Sequence, residues 1–94
     1  SKDINGKIIA IDPKVLKPEF QRADRQLYYV TGGFGASANS RGSAVFCTNL
    51  HTGKSTRYER MDVMGEVKPE RLPEWAKEKA QELLHKKRNK DKER

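Results

Sequence analysis

Apolar residues fall in short runs over the first two thirds of the chain and in a helical stripe over the last third. Lys7-Ile8-Ile9-Ala10-Ile11 is a β-branched run stopped by Asp12-Pro13, and it predicts a first strand. Residues 12–26 are polar with prolines at 13 and 18, so they read as an irregular connection or a single helical turn, anchored by Val15, Leu16 and Phe20. Gln26 to Thr31 is aromatic and β-branched, a second strand, and Ala44 to Leu50 is a third. His51-Thr52-Gly53-Lys54 predicts a tight hairpin turn with glycine where φ must be positive. The return strand, Ser55 to Arg60, alternates, so Thr56, Tyr58 and Arg60 share one face and Ser55, Arg57 and Glu59 the other. Met61 to Lys68 reads as a connector whose Val63, Met64 and Val67 cover one end of the sheet.

The period then changes. Pro73 suits the first helical position, and Glu70 and Glu74 complement the positive end of a helix dipole. Leu72, Trp75, Ala76, Ala80, Leu83 and Leu84 form one apolar stripe. Beyond Leu84 the chain is polar on all sides. The pattern predicts an α+β fold: a small antiparallel four-stranded sheet or open barrel with one C-terminal helix. The expected organisation is a compact domain over 1–84 and a basic, frayed or disordered tail over 85–94, with no internal repeat.

Composition limits what such a domain can do. With 34% apolar and 35% charged residues among 94, the core is small, and a stability of about 5 kcal/mol is expected at this size. That leaves little to hold a strained, deeply buried active site, so binding is expected rather than catalysis. Cys47 is the single cysteine, which fits a reducing compartment. No signal-peptide layout opens the chain and no apolar run reaches membrane-span length, so a cytoplasmic protein without a membrane partner is expected.

The charge is uneven. His85 to Arg94 holds six bases (Lys86, Lys87, Arg88, Lys90, Lys92, Arg94) and two acids (Asp91, Glu93), which is +4 of the formal +7. Such a tail can neutralise phosphates and release counterions, although no aromatic is interleaved for base stacking. Lys86, Lys87, Arg88 and Lys90 are the expected nucleic-acid contacts, with Arg41 and Arg57 in support.

The glycine- and serine-rich stretch over residues 32–43 reads first as a long flexible connection. Its second reading is a contact surface built on Gly33, Phe34 and Gly35, wrapping a phosphate or a partner with Arg41 alongside. It is no dinucleotide fingerprint, because the later glycine and the following helix are missing. Gly53-Lys54-Ser55 resembles the end of a P-loop, but Thr48 stands where the motif needs glycine, and the segment is a hairpin. Cys47 reads as a small core residue; with His51 and His85 scattered, neither a nucleophile–base pair nor a zinc site is expected, and no cofactor motif is present. Adjacent Tyr28 and Tyr29 point to opposite faces. Either at least one of them, with Tyr28 the partner-binding candidate, is exposed on a sheet flanked by Arg57 and suits stacking on a base or docking on a partner, or both pack, one under the helix and one under the 12–26 connection.

Several segments taken together resemble a known group: Leu27-Tyr28-Tyr29-Val30-Thr31, Gly32-Gly33-Phe34-Gly35, Ser40-Arg41-Gly42-Ser43-Ala44-Val45-Phe46, Thr56-Arg57-Tyr58-Glu59-Arg60, Asp62-Val63-Met64-Gly65 and Leu72-Pro73-Glu74-Trp75-Ala76. The set, over roughly residues 27–76, resembles small accessory proteins and domains of bacterial mobile genetic elements such as plasmids, conjugative transposons and prophages. The resemblance supplies no catalytic residues. It implies a bacterial cytoplasm and traffic with DNA-processing or host-defence machinery. The expected function is a non-enzymatic accessory protein contacting DNA, RNA or a nucleoprotein nuclease complex through its basic C-terminal helix. The alternative is a protein-binding inhibitor of a host defence nuclease, of the anti-CRISPR type. Many such inhibitors mimic DNA and are acidic, so a basic one would engage guide RNA or an acidic protein surface.

Overall fold

The computed structural model describes residues 3–22, 25–37 and 42–92, with side chains as far as His85. Among these described residues five strands form one sheet: β1 (Ile8–Ile11), β2 (Leu27–Gly32), β3 (Ala44–Asn49), β4 (Ser55–Glu59) and β5 (Val63–Glu66). Their order is β4-β3-β2-β1-β5, and every neighbouring pair is antiparallel. One helix, α1 (Glu74–Lys92), follows. The α+β class and the C-terminal helix are as expected, but the sheet has five strands rather than four.

The additional strand, β5, lies in the segment read as a connector. Val63-Met64-Gly65-Glu66 is short and has no apolar alternation; its ladder comes from the free edge of β1, where Ile9 faces Glu66 and Ile11 faces Val63. The covering role expected of this segment is only partly realised. Val63 packs on one face of the sheet and Val67 on the other, while Met64 points outward.

The link from β4 to β5 sets the shape of the sheet. These strands occupy opposite edges, yet only the 3-10 turn Arg60–Asp62 joins them. A flat five-stranded sheet would hold its edges about 19 Å apart, whereas three residues of 3-10 helix advance about 6 Å. The sheet therefore curls until its edges meet at this end. A reciprocal cap fixes the turn: the Glu59 N–H donates to Asp62 Oδ2 (3.1 Å), and the Asp62 N–H donates to the Glu59 carboxylate. The Asp12 N–H donates to the Asp62 carbonyl (2.8 Å), and the Arg60 N–H to the Ser43 carbonyl (2.7 Å).

Curling gives the sheet two cores, and alternate residues of the same strands feed each. Ile9, Ile11, Tyr28, Val30, Val45 and Cys47 fill the concave side. Leu16 and Phe20, on two short 3-10 turns of the 12–26 connection, close its mouth, while Val15 stays exposed. On the convex side Ile8, Leu27, Tyr29 and Leu50 meet Leu72, Ala76, Trp75, Ala80 and Leu83 of the helical segment. Leu84 ends the stripe partly exposed. Pro73 immediately precedes α1, and its carbonyl accepts from the Ala76 and Lys77 N–H groups, starting the first turn. Between β3 and β4 the buried Asn49 side chain accepts from the His51 and Thr52 N–H groups, and Gly53 has a φ of 76°. No helix among the described residues is long and apolar enough to cross a membrane.

Replacing Asp62 with alanine removes the cap that closes the sheet and is expected to lower stability by about 1 kcal/mol. Met61→Ala, in the same turn but 87% exposed, is expected to stay within about 0.5 kcal/mol. Urea denaturation of the two variants checks both.

Candidate binding surfaces

The glycine-rich stretch is anchored where it is described. Gly33 has a φ of 102°, and a Cβ there would collide with the Ala44 carbonyl; one at Gly35 would collide with the Ser43 backbone. The glycines thus let the loop lie directly against the start of β3. Ala36 is fully buried, its carbonyl accepts from the Ile4 N–H (2.9 Å), and Arg60 Nη1 donates to the Gly35 carbonyl (2.7 Å). Residues 33–37 are therefore pinned to the sheet rather than a loose connection. On this support Phe34 is 74% exposed. Arg41, assigned to the same loop as a phosphate contact, lies outside the described residues.

Arg57 stands on the convex face of β4, directly across from Phe46. Phe46 is half exposed, because α1 covers the β1–β2 side of this face and leaves the β3–β4 side open. Arg57 Nη2 lies 2.7 Å from Glu59 Oε1. The Ser43 hydroxyl donates to the same carboxylate, and that hydrogen bond, with Arg57 beside it, holds Glu59 below the usual glutamate range. The exposed aromatic flanking Arg57 is thus Phe46 and not a tyrosine. Hairpin register carries this information: once the turn over residues 50–54 is placed, Thr48 faces Ser55 and Phe46 must face Arg57.

Tyr28 is buried in the concave core and is no exposed docking residue. Its ring meets Tyr58 edge-on at 5.3 Å, and the two hydroxyls are hydrogen-bonded at 3.2 Å. Tyr29 is buried on the other face under α1. Both tyrosines pack, one under the helix and one near Leu16 and Phe20 of the 12–26 connection. The structure thus places Gly33, Phe34 and Gly35 at one end of the sheet near Arg60, with Phe46 and Arg57 nearby on the convex face. Lys86, Lys87, Arg88 and Lys90 lie on the last turns of α1, past the packed stripe.

Cys47 is wholly buried on the concave side, and burial pushes its thiol up to about 12. The His51 ring instead meets Trp75 edge-on at 5.7 Å, against the convex core. No group of three or more His, Cys, Asp or Glu among the described residues could hold a metal. Comparison with protein-family models, curated proteins and solved structures finds no match.

Gly33→Ala and Gly35→Ala are each expected to destabilise by about 1–3 kcal/mol through strain and overpacking, and Phe34→Ala to stay within about 0.5 kcal/mol, as read by thermal denaturation. The Cys47 thiol should resist a disulfide reagent in the folded protein. Its proton is held to about 12 in the fold against an ordinary 9.0. Stability from this source is complete below 9.0 and declines as pH rises towards 12, by up to about 1.4 kcal/mol per pH unit. Burial and the hydrogen bond to Tyr28 shift Tyr58 in the same direction. Urea midpoints measured on either side of pH 9.0 check the sign.

Proposed function

We propose that this chain is a non-enzymatic accessory module of a bacterial mobile element, working in the cytoplasm, that contacts nucleic acid or a nucleoprotein through the basic end of α1. The observation carrying this reading is that α1 continues to Lys92, whereas the last helical residue packed on the sheet is Leu83. The stretch beyond it is about 13 Å of helix, and its sequence contains Lys86, Lys87, Arg88, Lys90 and Lys92 with one acid, Asp91. A covering role for this stretch is unsupported, since nothing apolar follows Leu84.

Cations at a helix C-terminus complement its dipole, which alone would account for one or two of them. The full set goes further. Lys86 and Lys90 are four residues apart, as are Arg88 and Lys92, and like charges at that spacing cost an isolated helix about 0.2–0.5 kcal/mol per pair. A polyanion lying along the helix removes that cost and releases its own counterions.

The second reading, a protein-binding inhibitor of a host defence nuclease, is supported by a different observation. Phe34 is 74% exposed and Met61 87% exposed, and Met61 directly follows Arg60, whose guanidinium holds the loop bearing Phe34. Exposed aromatic and methionine side chains on a rigid support are the usual anchors of protein interfaces.

Fluorescence anisotropy with labelled duplex DNA, single-stranded DNA and RNA over a range of salt tests the first reading. The full chain is expected to bind with a steep salt dependence. Replacing Lys86, Lys87, Arg88 and Lys90 with glutamine should reduce the log–log slope on duplex DNA by about 0.9 for each phosphate no longer neutralised. A folded full chain that binds none of the three overturns it and favours the second reading. Phe34→Ala should then abolish capture of the nuclease target.

A further inference from the structure

A groove opens on the concave side between the 12–26 connection and the edge strand β4, with a volume of about 290 Å³. Phe20, Tyr28 and Tyr58 line it together with Thr56, and the exposed Lys17 and Lys54 border it. The lining contains no carboxylate, and neither lysine is ion-paired among the described residues. By contrast, the larger crevice between α1 and β1, about 370 Å³, mixes Lys7 and Lys77 with Glu66 and selects no charge.

The groove also holds a donor in reserve. Tyr28 and Tyr58 share one hydrogen bond between their hydroxyls at 3.2 Å. Two phenols bring two O–H protons, and that bond uses one. With Tyr28 as the donor, the proton of the half-buried Tyr58 hydroxyl is left for an acceptor in the groove. An occupant that uses all these features has a flat apolar ring for Phe20 and Tyr58, a carbonyl or ring nitrogen for the phenol, and a negative charge for Lys17 and Lys54. The volume lies at the lower end of the range for small-ligand sites, about 300 Å³, which suits a single base rather than a duplex edge or a run of peptide.

We propose that this groove takes an unpaired nucleotide of a single-stranded nucleic acid, a proposal that rests on the nucleic-acid reading of the chain. The fold connects it to the basic helix. Asn49 and Thr52 of the β3–β4 hairpin wall this groove and also the crevice beneath Lys79, Glu82 and Leu83 of α1. A strand with one base in the groove passes over that hairpin towards the end of the chain where the lysines and arginines are concentrated. Duplex, whose bases are paired, reaches the helix but not the groove.

The test compares a short oligothymidylate with a duplex of equal length, using the full chain and two full-length variants. Lys17→Glu with Lys54→Glu reverses the rim charge, and Thr56→Trp fills the groove without changing charge. Each is expected to weaken oligothymidylate binding about tenfold, the scale of losing one stacked base, and to leave duplex affinity within about twofold, which the helix carries. Backbone amide resonances of residues 17–20 and 52–58 should shift with the oligonucleotide. Equal loss on both ligands with Thr56→Trp silent would mean diffuse charge and overturns the proposal. So does a hexaglutamate peptide that shifts these amides more strongly than the oligonucleotide. Duplex binding that persists while both variants bind oligothymidylate normally removes the groove alone; absence of all binding by the parent chain removes the nucleic-acid reading with it.

Discussion

Three residues, Arg60 to Asp62, connect strands that lie at opposite edges of the sheet, and most of the architecture is a response to that short tether. Drawing the edges together bends the sheet, and bending separates its faces into an enclosed side and an outer side. The enclosed side is too small to need a helix; Leu16 and Phe20 suffice to plug it. The outer side needs a lid, and the stripe from Leu72 to Leu83 provides one. The Glu59–Asp62 cap therefore matters beyond its own hydrogen bonds, because it sits where the curvature is imposed.

The same geometry divides the surface. Because α1 covers the β1–β2 half of the convex face, Phe46 and Arg57 on the other half are left in solvent. Because the glycines of residues 33–35 permit contact with β3, Phe34 is held out on a fixed base. A contact residue on a pinned loop loses less freedom on binding than one on a mobile loop. Charge is handled separately, by carrying it past the packed body on the extension of the helix.

What could be read from the sequence was what local periodicity encodes. The aromatic and β-branched run of β2, the apolar run of β3, the Gly53 turn and the stripe of α1 each sit within a dozen residues, and each is found where expected. Elements defined by distant partners were illegible. β5 is a strand because β1 has an edge to offer, and nothing in Val63-Met64-Gly65-Glu66 announces that. Alternation placed Tyr28 and Tyr29 on opposite faces but said nothing of whether both faces were covered. Glycines at 33 and 35 looked like flexibility, since the approach to Ala44 and Ser43 that requires them is tertiary. That Phe46 is left half in solvent depends on where α1 lies across the sheet, which its own strand does not encode. The groove was hidden most completely, being assembled from the 12–26 connection, β2 and the β3–β4 hairpin.

The position of β1 has a consequence for how the molecule is made. The first strand of the chain lies inside the sheet, between β2 and the last strand, β5. Pairing across β2, β3 and β4 is a meander of sequence neighbours and can form early, since it closes smaller loops than the β1–β5 ladder does. The β1–β5 ladder must wait for Glu66. During synthesis, a chain shorter than that carries Ile9 and Ile11 on a strand with one open edge. Closure of the sheet thus follows the making of β5, and the helix that seals the outer face comes after it in the chain.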